Sequence, residues 1–178
     1  MKKLKLFLLA AALITAGSTI AQSKFAYIRI DDMVSLMPEI PKIDSLLKIY
    51  QTDSLAEEYG SLVQLYQFKD SVYRDSLKTK PAVRKQIEGE LPGLIYQIQN
   101  WQSISQQAFE NKQGQLLQPV YKKVYDAIRA VAKEKGYTHV LSKDVFLVAP
   151  EGDDILAPVA TKLKVKLPPQ TPSNKAGN

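Results

Sequence analysis

The chain has 178 residues, which is enough for one domain of ordinary size, and its formal net charge is +6. It contains no cysteine, so a disulfide framework is excluded, and packing or association with other chains must hold the fold together. A net charge this modest gives little support for a nucleic-acid partner, because such binding normally shows as a dense basic face.

Residues 1–21 have the pattern of a secretory signal peptide. Three lysines within the first five residues precede an apolar run from Leu6 to about Ala16, and small and polar residues follow. The run is shorter than the roughly 18 to 20 apolar residues that a membrane-spanning helix needs. We therefore predict that the chain is exported to a periplasm-like compartment. Without those three lysines, the mature chain is only mildly basic.

The segment 22–40 predicts the first part of a small body. Aromatic and β-branched residues alternate over Phe25–Ile30, which is typical of a strand. Asp31 is suited to cap a short helix over Asp32–Met37, which Pro38 is expected to end.

Residues 41–120 predict a long antiparallel helical hairpin, a coiled-coil arm. Apolar residues recur at spacings of three and four between Pro41 and Leu77, and a continuous helix there would be about 55 Å long. Pro81 is well placed to begin the return helix, and Gly136 is suited to end it in the left-handed conformation. Pro92 and Pro119 should kink the return helix.

The sequence leaves two positions open for the tip of the hairpin. One is residues 78–82, within "LKTKPAVRK", where the helical pattern is interrupted. The other is "EGELPG", residues 88–93, which would give the two arms more equal lengths.

Tyrosine and aliphatic side chains along the arms form a candidate binding surface. Glutamine and serine dominate between Asn100 and Gln115, so packing between the helices should be loose there. Each apolar side chain either packs between the two helices or offers contact area to a partner, and both interpretations stay open. The candidate residues are Tyr59, Leu62, Tyr66, Val72, Tyr73, Leu94, Tyr96, Ile98 and Trp101.

Basic residues cluster around the first of the two tips. They are Lys69, Arg74, Lys78, Lys80, Arg84 and Lys85, set against Asp70 and Asp75. The cluster is either a solvated face or a surface that attracts acidic loops of a client or anionic lipid headgroups, including lipopolysaccharide.

Residues 121–167 predict the rest of the body: a helix end, two strands over Tyr137–Leu141 and Val145–Ala149 joined by the turn "SKD", and a short C-terminal helix. Residues 168–178 are too poor in apolar side chains to order themselves. The predicted fold class is therefore α+β, with the hairpin projecting from a small body. Because three short strands bury little surface, we expect other copies of the chain to complete that body.

Residues suited to catalysis are scarce. His139 is the single histidine, and no phosphate loop, nucleophile elbow or metal-spaced ligand set is present in the sequence. We interpret His139 as a strand residue that faces solvent or a neighbouring subunit, and Asp153 and Asp154 as turn and helix-start residues. No enzymatic activity, metal or cofactor is predicted.

The order of elements, with "KFAYIRIDDMVSLMPE" near the start and "LLQPVYKKVYDAIRAVAKEKGYTHVL" near the end, resembles the Skp/OmpH family of periplasmic chaperones for outer-membrane proteins over about residues 23–165. The resemblance implies a homotrimer with a β-barrel-like body and three helical-hairpin arms around a cavity. Unfolded outer-membrane proteins would be held in that cavity without ATP. It further implies that the trimer body contains Phe25, Tyr27, Ile28, Ile30, Val140, Leu141, Val145, Phe146 and Leu147.

A second hypothesis is a structural envelope protein whose coiled-coil arms tether one folded partner. It differs from the first in requiring a single, defined partner surface.

Overall fold

The computed structural model describes residues 23–169 of the chain. A two-stranded parallel sheet brings the N-terminal and C-terminal parts of this range together. β1 (Phe25–Ile28) pairs with β2 (His139–Ser142), and their first residues lie opposite each other. On the other side of β1, the Tyr27 carbonyl accepts the N–H of Ile155 at 3.0 Å. Parallel strands need a long crossover connection, and here the entire helical hairpin is that connection.

Helices make up most of the described residues. They are α1 (Ile30–Ser35), α2 (Ile40–Ile49), a π-helical turn (Tyr50–Ser54), α3 (Leu55–Arg74), α4 (Pro81–Gln99), α5 (Trp101–Lys135) and α6 (Leu156–Leu163). Two 3₁₀ turns lie at Lys143–Val145 and Glu151–Asp153.

The body has a hydrophobic core of its own within one chain. Met33, Val124, Ile155 and Val159 are completely buried, and they bring α1, the last third of α5 and α6 together. The rest of the core comes from β1, from α1 and the loop after it, and from α2, α5 and α6: Ala26, Ile28, Val34, Met37, Ile43, Leu47, Val120, Ala127, Ile128, Val131 and Ala160. The return helix is therefore part of the body at one end and part of the arm at the other.

The arm is the predicted hairpin, and its tip lies between Arg74 and Pro81. Pro81 occupies the first turn of α4, where a missing N–H is tolerated. The alternative tip at residues 88–93 was wrong, because α4 continues through it as a helix. The antiparallel hairpin and the small sheet together confirm the predicted fold class for a single chain.

The π-helical turn corrects the prediction of a continuous first helix. The buried stripe runs through Ile43 and Leu47 to the half-buried Tyr50, and it resumes at Leu55, five positions later. The Leu55 N–H donates to the Tyr50 carbonyl across that gap. A π turn inserts one extra residue into the helix. The apolar stripe therefore still faces α5, although the spacing between its residues increases to five at this point.

The return helix is interrupted at Asn100, not at either proline. Pro92 lies inside α4 and Pro119 inside α5, whereas Asn100 stands between the two helices with φ −102° and ψ 12°. Its side-chain amide donates to the Tyr96 carbonyl at 2.8 Å, which satisfies a carbonyl at the end of α4. Gly136 ends α5 in the left-handed conformation, as predicted.

Two predicted boundaries near the N-terminus were wrong. The first strand ends at Ile28, two residues early, and α1 already begins at Ile30 and ends at Ser35. Asp31 therefore lies in the first turn of α1 and does not cap it.

The predicted strand over Val145–Ala149 was also wrong. Ser142 Oγ accepts the N–H of Asp144 and starts a 3₁₀ turn there, and Phe146 N–H donates back to the Lys143 carbonyl at 3.1 Å. The Phe146 ring then contacts Tyr27, with ring centroids 5.7 Å apart. These local contacts form a turn where the sequence predicted a strand.

Some predictions fall beyond the described range. The proposed signal peptide at 1–21 and most of the tail at 168–178 lie outside residues 23–169. Between those limits, no helix combines the length and the apolar character needed to cross a bilayer.

Two glycines of α4 give a test of the arm's stability. A Cβ added at Gly89 or Gly93 meets nothing within 4 Å, so alanine at each should stabilise the helix by about 1 kcal/mol. Gly136→Ala should instead destabilise the fold by about 1 to 2 kcal/mol, because φ there is 70°. Urea unfolding followed by circular dichroism checks both signs, and stabilisation by all three changes would contradict this account.

Candidate functional site

The seam between the two arm helices holds most of the side chains predicted to bind a partner. Tyr59 and Trp101 pack with ring centroids 5.5 Å apart. Tyr73 is held by Arg84, whose Nε donates to the Tyr73 carbonyl at 3.0 Å and whose guanidinium lies over the Tyr73 ring. The half-buried members of the set are Leu62, Tyr66, Val72, Leu94 and Ile98. These residues lie between the helices, and apart from Tyr59 they are half-buried, so only part of their surface is left for a partner.

The exposed apolar surface of the arm is a different set. Of the predicted residues, Tyr96 (64% exposed) and Tyr59 (38%) keep substantial surface. Leu65, Phe68 and Ile95 were missed, and Phe68 is 65% exposed. Leu65 and Phe68 each come one residue before a position in the seam. Because successive side chains of a helix point in different directions around its axis, both of these side chains point out of the seam. We call Leu65, Phe68, Ile95 and Tyr96 the arm patch.

The basic tip is more fully paired than the sequence suggested. Lys69 forms an ion pair with Glu90 across the hairpin, which the sequence interpretation had not counted, and Arg74 pairs with Asp70 at 2.8 Å. Lys78 lies 3.9 Å from Asp75. Among the described carboxylates, none forms an ion pair with Lys80 or Lys85. Leu77, 96% exposed, sits among these cations, and contact of the tip with anionic lipid stays a prediction.

Polar contacts fix the base of the arm to the body. The Tyr121 hydroxyl donates to Asp31 Oδ1 at 2.8 Å, and this bond to a carboxylate, with burial, raises the pKa of the Tyr121 hydroxyl. Lys123 of α5 pairs with Glu39, just before α2. Hydrogen bonding to Lys123 lowers the pKa of Glu39 from its ordinary value of 4.5, although partial burial opposes the change.

The Glu39 contact makes the attachment of the arm sensitive to acid. The pKa of the Glu39 carboxyl is lower in the folded state than in the unfolded state. The contact therefore stabilises the fold at pH values above the ordinary carboxyl pKa, and this stabilisation is lost as the pH falls through the folded-state pKa. We expect the urea midpoint to fall on acidification below about pH 4.5, with a smaller fall in Glu39→Gln and in Lys123→Met. A full wild-type fall in both variants would show that this contact does not contribute.

Unpartnered apolar side chains also cover one part of the body. Leu147 is 105% and Val148 90% exposed, and the β2 edge beside them carries no strand partner within residues 23–169. Other exposed apolar side chains of the body are Phe25, Leu141 and Val145. Other predicted body residues are internal: Tyr27 and Ile28 are buried, and Ile30, Val140 and Phe146 are half-buried.

The side chains set aside as non-catalytic have structural roles. His139 begins β2, is exposed, and stacks on Phe25 with ring centroids 5.0 Å apart. Asp154 Oδ1 accepts the N–H of Leu156 at 2.8 Å, so it caps the first turn of α6. Asp153 ends the 3₁₀ turn before it.

The chain is similar to a solved structure and to a protein family. A crystal structure from Caulobacter crescentus CB15, of a candidate outer membrane chaperone (OmpH-like), is 15% identical; the alignment covers 83% of this chain and 86% of that one, with a TM-score of 0.48. No curated protein matches the chain. The family model for Outer membrane protein (OmpH-like) matches residues 24–163. Because this match covers most of the 178 residues, the chain belongs to the outer membrane protein (OmpH-like) family.

Proposed function

We propose that the protein is an ATP-independent holding chaperone of the periplasm. It binds unfolded outer-membrane proteins in a cavity between the arms of a homotrimer and prevents their aggregation. The observation that carries the proposal is a long hairpin whose apolar patch (Leu65, Phe68, Ile95 and Tyr96) is left exposed by its own chain. Membership of the OmpH-like family supports it.

The arm patch suits a client without fixed structure. Its four side chains are large and flank the seam on both helices, so they offer apolar area without one rigid pocket. Each such contact contributes about 0.5 to 1 kcal/mol when partly buried, and several contacts on linked arms add up to useful affinity. Binding through many weak apolar contacts is favourable by itself, so holding a client requires no nucleotide hydrolysis.

The body supports assembly with other copies. A groove of about 360 Å³ lies between the sheet and α5, lined largely by apolar side chains that include Ile128, Val140 and Leu141. The unpartnered Leu147 and Val148 and the open edge of β2 provide complementary apolar and hydrogen-bonding surfaces. Cyclic association of three copies would cover these surfaces and hold three arms around one space.

Site-specific photo-crosslinking tests where clients bind. The chain has no cysteine, so a benzophenone can be attached to Tyr96→Cys on the arm patch or to Lys133→Cys on the body as a matched control. We expect Tyr96→Cys to crosslink several unrelated urea-unfolded porins, and Lys133→Cys to crosslink far less. Crosslinks from Tyr96→Cys to one folded envelope protein, with none to unfolded porins, would favour the second hypothesis, in which the arms tether a single folded partner.

A further inference from the structure

A recess in the side of the arm lies beside the π-helical turn. Ala56 of α3 and Ser105 of α5 both line it, and its volume is about 220 Å³. The paired rings of Tyr59 and Trp101 border it on the side toward the tip, and Phe109 borders it on the side toward the body. Two small side chains between large rings leave the recess empty of side-chain atoms from the arm itself.

The backbone helps to keep the recess open. Within the π turn no residue is buried, and the apolar stripe resumes only at Leu55. On the facing helix this level corresponds to the glutamine- and serine-rich stretch, where side chains from α5 do not fill the space. π turns occur often at functional sites in other proteins.

We propose that this recess binds one aromatic side chain of an unfolded polypeptide. The volume suffices, because an engineered apolar cavity of about 150 Å³ already binds benzene. Rings on two sides favour an aromatic occupant over an aliphatic one, since aromatic pairs gain free energy beyond the area they bury. Gln51 and Gln106 also line the recess, and amide side chains are suited to hydrogen-bond the backbone of an extended chain.

The choice of an unfolded polypeptide as the ligand rests on the proposed holding function. Tyr59 lines the recess and keeps 38% of its surface exposed, so the recess is open to a client that lies along the arm. The recess would give the holding surface a preference for aromatic residues, which the arm patch alone does not provide.

Trp101 makes the test direct, because it is the single tryptophan of the chain and lines the recess. The full-length protein is titrated with three unstructured peptides that differ at one position, Phe, Leu or Ala, while Trp101 fluorescence is followed. We expect a saturable change with the Phe peptide, at least about tenfold tighter than with the Ala peptide and tighter than with the Leu peptide. Equal responses to all three peptides would overturn the assignment.

Filling the recess provides the matched variants. Ala56→Leu and Ser105→Leu should each abolish the preference for the Phe peptide. Ala82→Leu and Ser61→Leu, which add the same bulk at exposed arm positions, should keep it. A preserved preference in Ala56→Leu and Ser105→Leu, both shown to be folded by circular dichroism, would contradict the proposal.

Aggregation assays on the same samples separate this inference from the proposed function. Ala56→Leu should still suppress aggregation of an unfolded porin, because the arm patch is intact. Suppression by the wild type without any peptide preference would overturn the recess and leave the holding function standing. A selective Trp101 response without suppression would support the recess as an aromatic site and overturn the holding function.

Discussion

Replacing Leu147 and Val148 by aspartate is expected to convert the proposed trimer into single chains. Both side chains are fully exposed in one chain, so the change should cost little in a monomer. In an assembly these two side chains would be buried. Each replacement by aspartate would then remove about 1.5 to 3 kcal/mol of apolar burial and place a charge in the interface. The dissociation constant should rise by a factor of about a thousand or more.

Mass determination by light scattering measures this effect. Leu77→Asp is the matched control, because Leu77 is 96% exposed but lies at the far end of the arm, where the same change should leave the mass unaltered. A double variant that keeps the mass of three chains would show that the exposed segment of the body is not an interface.

The second large effect is expected on the arm patch. Changing Leu65, Phe68, Ile95 and Tyr96 to serine together removes about 2 to 4 kcal/mol of apolar contact per arm, and the affinity for an unfolded porin should fall about a hundredfold. Changing the exposed glutamines of the same stretch, Gln64, Gln67, Gln97 and Gln99, to serine is the control and should leave the affinity nearly unchanged.

Single substitutions should matter much less than the combined one. Tyr66→Ala is expected to change the affinity by less than about tenfold, because Tyr66 lies in the seam and the client makes many weak contacts elsewhere on the arm. Affinities are measured by titrating a fluorescently labelled, urea-unfolded porin. If one single substitution lowered the affinity as much as the four combined substitutions, one specific pocket and not a distributed surface would account for client binding.

The main features of the fold could be read from the sequence because they depend on local patterns. The helical spacing, Pro81 at a helix start and Gly136 at a helix end located the hairpin and the junction with the body. The family resemblance is also confirmed by the match to residues 24–163. The spacing of five between Tyr50 and Leu55 was visible too, and it was the signal for the π turn that a search for spacings of three and four overlooked.

Other features depended on contacts that no local pattern contains. The β-propensity of Val145–Ala149 favoured a strand, but the Ser142 turn and the Phe146–Tyr27 contact bend the segment instead. Glu90 neutralises Lys69 only because the hairpin brings together residues 21 positions apart. Leu65, Phe68 and Ile95 of the arm patch were missed, because apolar spacing alone does not separate a seam position from its neighbour until the partner helix is placed.

The central claim is that an assembly of these chains holds unfolded outer-membrane proteins without a nucleotide. Light scattering of a urea-unfolded porin diluted into buffer, with and without the protein, tests it most directly when the mass of the chaperone particle is determined on the same sample. We expect suppressed aggregation by a particle of three chains in the absence of ATP. Unchanged aggregation at several-fold excess of the protein would contradict it, whatever the mass of the particle.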